Sequence, residues 1–461
     1  MRRLNNFYRF LDLRKKFPVF TYESYHYEFT DNSIELSFSY SLGEKIIFKP
    51  HISIPFKPGL FRPFDSFPAS SLNNLVFHIG MIELASYWKA ACSPNVIIRQ
   101  HKLSTSQVKF WKKIYFHGLG EFFYVNSIRV NEDDMMEMAF PDDKPVKSFP
   151  LDPGSGCLVP VGGGKDSAVT MGLLNRTGED WLPFVINLRK TTREVIQAAG
   201  KTEAQSIEFL REIHPQLLKL NKEGFLNGHT PFSALLAFYS LLAAFLTGRP
   251  EIILSNESSA NEVTVPGSTI NHQYSKSIEF EKDFREYTRT NISEGFNYYS
   301  LLRPLSELQI ASLFSMMPQF FDHFKSCNVG SKTDSWCGSC PKCLFTFIIL
   351  SPFFKPETLT GIFGGNLLDK PALEKTLEEL TGITDIKPFE CIGTVDEAKA
   401  ALNEAVKMYK KGELPYLLKE FQLQGSPEGI KPGDFLQRLH QIEPDHFVPE
   451  KYLNLLVTAI K

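Results

Sequence analysis

The sequence has no hydrophobic run long enough to cross a membrane. Its longest apolar segment, ALLAFYSLLAAFLTG at residues 234–248, is interrupted by Tyr239 and Ser240 and falls short of the roughly 20 residues a bilayer requires. Thr230 as a cap, Pro231 in the first turn and Gly248 at the end make it a buried helix instead. The stretch MRRLNNFYRFLDLRKKFPVF is basic but lacks the apolar centre of a signal peptide, and no membrane partner is expected. Neither sign of charge dominates: 50 Lys and Arg against 52 Asp and Glu leave a formal net charge of -2. A general nucleic-acid surface shows a basic excess, so no nucleic-acid partner is expected, although a local basic groove is compatible with this balance. Cysteines are few and odd in number, seven in 461 residues. Without an export signal they imply reduced thiols and a cytoplasmic protein, not a disulfide framework. Internal repeats and low-complexity tracts are absent as well.

What is present is the composition of a soluble globular protein, 43% hydrophobic and 22% charged, in a chain long enough for two or three domains. Residues 1–150 are rich in aromatic and β-branched residues. SIELSFSYSL and KIIFKPHISIPF read as strands and FHIGMIELASYWKAA as a helix, an α+β region that serves as a candidate substrate-binding domain. The charged, Pro/Gly-rich stretch DDKPVKSFPLDPGSG closes it. In residues 151–351 apolar runs alternate with helical segments: CLVPV then AVTMGLL, WLPFVINL then TREVIQAAG, ALLAFYSLLAAFL then EIILS. This alternation predicts βα units, hence an α/β fold with a doubly wound parallel sheet. Residues 352–461 read as helical, as in KPALEKTLEELTG and DEAKAALNEAVKMYKK.

Two motifs carry chemistry. The first is CLVPVGGGKDSAVTMGLL, residues 157–174. It is not a Walker A loop, because Asp166 follows Lys165 and Val159 stands where the early glycine belongs. It is a strand leading into Gly162, Gly163 and Gly164, then a helix. Glycines let the backbone N–H groups approach a phosphate chain, and Ser167 lies at a helix N-terminus that favours an anion. Lys165 adds a point charge, and Asp166 is read as a Mg²⁺ or loop-orienting group. The arrangement resembles the PP-loop ATP pyrophosphatases, whose loop reads S-G-G-x-D-S, with Gly162 in place of the first serine. An ordinary glycine turn is the competing reading. The second motif is SCNVGSKTDSWCGSCPKC, in which Cys327, Cys337, Cys340 and Cys343 make a Cys₄ set. Such spacing suits a closed, structural zinc site. An iron–sulfur cluster is the alternative, although the downstream C-x-x-x-C-P is missing. Cys92, Cys157 and Cys391 read as small buried hydrophobes.

Polar clusters add candidates. In EIILSNESSANE, Asn256 and Glu257 follow a strand and belong at its carboxyl end, where such sheets bind ligands. In NHQYSKSIEFE, His272 and Lys276 are proton-transfer candidates. His78 and Glu83 in FHIGMIELASYWKAAC are candidates for the opposite face, and core placement is the competing reading for both. Lys89 and Arg303 read as surface charges or as contacts for substrate phosphates.

The stretches HIGMIELASYWKAACS, GLGEFFYVN, VGGGKDS, LSNESSANE, NHQYSKSIEFE, LLRPLSELQIA and CGSCPKC, in that order, resemble the MurL family of ATP-dependent UDP-N-acetylmuramoyl-L-alanyl-L-glutamate epimerases. The resemblance implies a cytoplasmic enzyme of peptidoglycan precursor synthesis. It would use ATP and Mg²⁺ to adenylate the terminal glutamate of a nucleotide-sugar peptide, invert its Cα, and release AMP and diphosphate. The second reading is a PP-loop enzyme of 7-deazaguanine synthesis or tRNA modification. The 7-cyano-7-deazaguanine synthases also carry a C-x₈-C-x₂-C-x₂-C site, but the first gap here is nine residues and about 150 residues precede the loop. A third reading is a non-catalytic nucleotide sensor stapled by zinc.

Overall fold

A computed structural model describes residues 4–151, 154–265, 267–384, 387–410, 412–424 and 434–460. The strands are β1 (Val19–Phe29), β2 (Ser33–Leu42), β3 (Ile46–Phe48), β4 (His51–Pro55), β5 (Asn95–Ile98), β6 (Glu137–Ala139), β7 (Cys157–Pro160), β8 (Trp181–Ile186), β9 (Ile207–Glu212), β10 (Glu251–Leu254) and β11 (Asn297–Ser300). Strand β2 shows why such segments extend. Ile34, Leu36, Phe38, Tyr40 and Leu42 are all buried, so every second side chain faces the core. Fully burying a side chain of this size contributes about 1.5–3 kcal/mol relative to exposure.

Among the described residues all eleven strands belong to one mixed sheet, ordered β11-β10-β7-β8-β9-β4-β2-β1-β5-β6, with β3 beside β2. The expected parallel block is β9-β8-β7-β10-β11. It is not a separate sheet: β4 pairs antiparallel with β9 through His51↔Glu212, Ile52↔Arg211 and Ser53↔Leu210, so the strands before residue 150 continue it. From β7 the chain steps outward to β8 and β9, then returns to the other side of β7 as β10 and β11. The order reverses between β7 and β10, and in such sheets this is where ligands bind, outside the carboxyl ends of the strands.

Alternation along the parallel strands divides the interior into two cores. Leu158, Leu182, Phe184, Ile252 and Tyr298 join the N-terminal strands and the helices Ala69–Trp88 and Phe232–Thr247. Cys157, Val159, Trp181, Val185, Ile253 and Tyr299 join the C-terminal helices. Helix Phe232–Thr247 is the apolar segment noted above, and Gly248 ends it at φ 66°. Pro231 rather than Thr230 stands at its N-cap; the Thr230 hydroxyl accepts the Lys89 ammonium instead, at 2.5 Å. Among the described residues no helix is long and apolar enough to cross a membrane.

Candidate active site

Strand β7 runs into Gly162–Gly164 and then helix Lys165–Asn175. The three glycines have different surroundings. Gly163 has φ +84°, and a Cβ there would meet Thr192 Oγ1 at 3.0 Å. A Cβ on Gly164 would meet Ser326 Oγ at 2.7 Å, whereas one on Gly162 would meet nothing within 4 Å. Crowding therefore does not impose glycine where the resembling loops carry serine. No side chain caps the helix that follows, which leaves its first-turn N–H groups available to an anion.

The loop opens onto a cleft of about 240 Å³ at the β7/β10 reversal. Gly162, Gly164, Asp166 and Ser167 line it, with Asn256 after β10, whose amide donates to Ser300 Oγ at 3.0 Å. Four cations also line it: Arg189, Lys276, Lys325 and Lys342. Arg189 donates to the Gly162 carbonyl at 3.3 Å, and the Lys325 backbone N–H donates to the Gly163 carbonyl at 3.0 Å. Asp166 is the carboxylate of the lining. Arg189, Lys325 and Lys342 escaped the sequence reading because none belongs to a nucleotide motif.

Lys165 is a correction to that reading. It does not line the cleft; its buried ammonium donates to Asp166 and Glu307. Burial opposes its charge, but the two carboxylates outweigh this and hold its pKa above the usual lysine value. Glu257 is likewise buried beneath the cleft, and it accepts from Ser259 at 3.3 Å. Arg303, read as a surface charge, is fully buried. It donates to the carbonyls of Glu257 and Lys276 and to the Glu281 carboxylate at 3.2 Å, so it ties together the two loops that flank the cleft.

The four cysteines converge. Sulfur–sulfur separations are 3.7 Å for Cys327–Cys340, 3.7 Å for Cys337–Cys343 and 3.4 Å for Cys340–Cys343. Zinc–sulfur bonds of about 2.3 Å in a tetrahedron place sulfurs about 3.8 Å apart, so the set could hold a metal such as zinc. The Gly330 N–H donates to Cys327 Sγ at 3.1 Å and the Ser339 hydroxyl to Cys337 Sγ at 3.5 Å; both support thiolates. Because Lys325, Ser326, Cys327 and Lys342 all line the cleft, this cluster holds one side of it in place.

Beside the cleft lies a group assembled from three distant parts of the chain. His272 Nδ1 is 2.6 Å from the Glu121 carboxylate, and His229 Nδ1 is 3.4 Å from the same oxygen. Cys391 interacts electrostatically with both His272 and Lys276. Burial opposes ionisation of its thiol, but Lys276, Lys342 and His272 outweigh that and hold its pKa well below the usual value. Burial also opposes charge on His272, yet Cys391 and Glu121 raise it to about 9. Lys276 is raised as well, by Cys391 and Glu257 against burial. Both nominated proton-transfer groups therefore carry protons at neutral pH, as a cation and a donor rather than as bases. Burial lowers His229 to about 4. Cys391 itself corrects the reading of a buried hydrophobe: it is partly exposed and sits among charges.

The nominated opposite-face pair lies elsewhere. Helix Ala69–Trp88 is buried nearly all round, and His78 and Glu83 are each 1% exposed. His78 donates through Nδ1 to the Asn74 carbonyl at 2.8 Å and accepts from the Tyr287 hydroxyl at 2.9 Å, stacked on Phe238. Burial lowers its pKa to about 4, so it is a neutral core histidine. Glu83 accepts two bonds from Arg211 of β9, at 2.5 and 2.8 Å, and one from Tyr239. It anchors the helix on the sheet. Lys89, also buried, binds the backbone around His229 and positions that loop.

Comparison with known proteins identifies the family. The MurL N-terminal domain pattern matches residues 12–301 and the MurL C-terminal domain pattern residues 323–426. A protein of Xanthomonas oryzae pv. oryzae named UDP-N-acetyl-alpha-D-muramoyl-L-alanyl-L-glutamate epimerase is 33% identical over 83% of this chain and 85% of its own length. Proteins of the same name from Salinispora tropica and a Micromonospora species are 34% and 32% identical, each over 84% of this chain and 85% and 87% of their own lengths. With both domain patterns matched in order and relatives aligned along most of its length, the chain belongs to the MurL epimerase family.

Proposed function

We propose that this protein converts the terminal L-glutamate of UDP-N-acetylmuramoyl-L-alanyl-L-glutamate to D-glutamate, using ATP to adenylate the carboxylate and releasing AMP and diphosphate. The observation that carries the reading is the cleft at the β7/β10 reversal. A chain of net charge -2 gathers four cations around a glycine loop there, next to the Cys391–His272 group. A polyphosphate needs such a cleft, and the PP-loop reading of the glycine turn fits it.

The chemistry explains why ATP is required. A Cα proton beside a carboxylate is barely acidic, because its removal places two negative charges on adjacent atoms. Adenylation replaces the carboxylate by a carbonyl that accepts the electron pair. Proton removal and return on the opposite face then invert the centre, and hydrolysis makes the process irreversible. The cleft cations hold the phosphates. Asp166 would hold Mg²⁺, which supplies charge neutralisation to the phosphate chain when bound. Zinc on the four cysteines would be structural, since a closed Cys₄ shell leaves no position for water. A nucleotide-sugar peptide substrate and reduced thiols support a cytoplasmic location.

The test is one reaction in D₂O with Mg²⁺-ATP and the L-glutamyl substrate, following AMP, D-glutamate and Cα deuterium together. All three appear if the reading holds. AMP without inversion would retain the adenylation and reject the product, and absence of AMP would reject both.

A further inference from the structure

The three residues Glu121, His272 and Cys391 come from the N-terminal, middle and C-terminal parts of the chain and meet at one edge of the nucleotide cleft. Several anchors hold Cys391 there. Its neighbour Phe389 lies edge-on to the His272 ring at 6.3 Å, Glu390 accepts from the Asn328 amide at 2.6 Å, and the Ile392 carbonyl accepts from Gln273 at 3.1 Å. Glu121 engages His272 Nδ1 at 2.6 Å, which leaves the other ring nitrogen for the thiol. A nucleophile, a histidine and a carboxylate that orients the histidine are the parts of an activated-nucleophile site. Lys276 joins the two centres, because it lines the cleft and its charge also acts on Cys391.

We propose that Cys391 is a covalent catalytic residue: its sulfur takes the glutamyl acyl group from the adenylate, and Cα inverts while the group is held as a thioester. The inference rests on the adenylation reading above. Sγ adds to the acyl carbon, the S–C bond forms, and the bond from that carbon to the phosphate oxygen breaks, so AMP departs with the electron pair. The Cα–H bond then breaks: the proton passes to solvent water, the electron pair delocalises onto the thioester carbonyl oxygen, and a proton from solvent returns to the opposite face. Water adds to the carbonyl and the C–S bond breaks, which regenerates the thiolate and frees the D-glutamyl carboxylate and two protons. One ATP and one water are consumed per turnover.

Two physical arguments favour this role over direct proton abstraction by the sulfur. A thiolate stabilised by three neighbouring cations is a weak base but remains an effective nucleophile. And Cys391 and His272 lie together, so the pair would reach a substrate from one side and could not take a proton from one face and return it to the other. Sulfur also conjugates poorly with a carbonyl, which leaves the thioester Cα proton more acidic than that of the free acid.

The experiment is a single turnover of the full-length protein with Mg²⁺-ATP and the L-glutamyl substrate, quenched in acid and weighed intact. The wild-type chain gains the mass of the substrate acyl group, peptide mapping places it on residue 391, and neutral hydroxylamine removes it. In Cys391→Ala the adduct is absent and epimerisation falls at least 100-fold, while ATP–diphosphate isotope exchange driven by substrate stays within about tenfold. Exchange and AMP formation without any hydroxylamine-labile adduct in the wild type would overturn the proposal and leave adenylation standing. So would epimerisation by Cys391→Ala within tenfold of wild type. Failure of the wild type to exchange diphosphate would reject the adenylation reading and the thioester with it.

Discussion

Replacement of Glu83 separates a structural carboxylate from a catalytic one. Its side chain is 1% exposed and that of Arg211 11%, and the pair is bidentate at 2.5 and 2.8 Å. Glu83→Leu leaves a guanidinium buried without its partner, and Arg211→Met leaves the carboxylate in the same position. Removing one member of such a pair costs about 3–5 kcal/mol. Tyr239 loses its acceptor in the first variant, so Glu83→Leu belongs at the upper end. The double variant Glu83→Leu/Arg211→Met removes both charges together and costs less than the sum of the singles, because the unpaired ion is the main penalty. Denaturant unfolding with turnover per folded molecule reads the result. Stability falls in each single variant, part of it returns in the double variant, and the double variant keeps turnover within about tenfold. A Glu83→Leu protein as stable as wild type but without turnover would refute this reasoning and return Glu83 to the substrate.

His78 links stability to pH. Its folded pKa of about 4 lies below the model-peptide value of 6.5, so the unfolded chain binds more protons between those values. The contribution is present above pH 6.5 and lost as pH falls toward 4, at most about 3 kcal/mol for a shift of this size; His78→Gln flattens that part of the unfolding-versus-pH curve. Gly163→Ala places a side chain at φ +84° against Thr192, a conformation costing about 1–2 kcal/mol. AMP formation falls at least tenfold relative to Gly162→Ser, whose side chain enters open space. The four-cysteine cluster predicts about one tightly held metal ion per chain by elemental analysis. Chelation or Cys340→Ala lowers the unfolding temperature and weakens ATP binding, because Lys325 and Lys342 lose their support.

The fold was legible where local chemistry decides it. The alternation in SIELSFSYSL became β2, and the apolar segment ending at Gly248 became a buried helix. Strand β9 was not read: IEFLRE is polar because it joins the two halves of the sheet, and its Arg211 exists to meet Glu83. In helix Ala69–Trp88, buried nearly all round, periodicity has no apolar side to identify, so the sequence could not say where His78 and Glu83 point.

By itself, the sequence determined the glycine loop between a strand and a helix, the four-cysteine spacing and the family-like stretches, because each depends on residues close together in the chain. Only the tertiary structure decided which ionisable groups share a cleft. Lys165 turned inward to Glu307, 142 positions away. Glu121 and His272 meet across 151 positions, and Cys391 joins them from a segment without a motif of its own. Whether a cysteine is an inert filler or a thiolate depends on the charges packed around it, and those charges come together only when the chain folds.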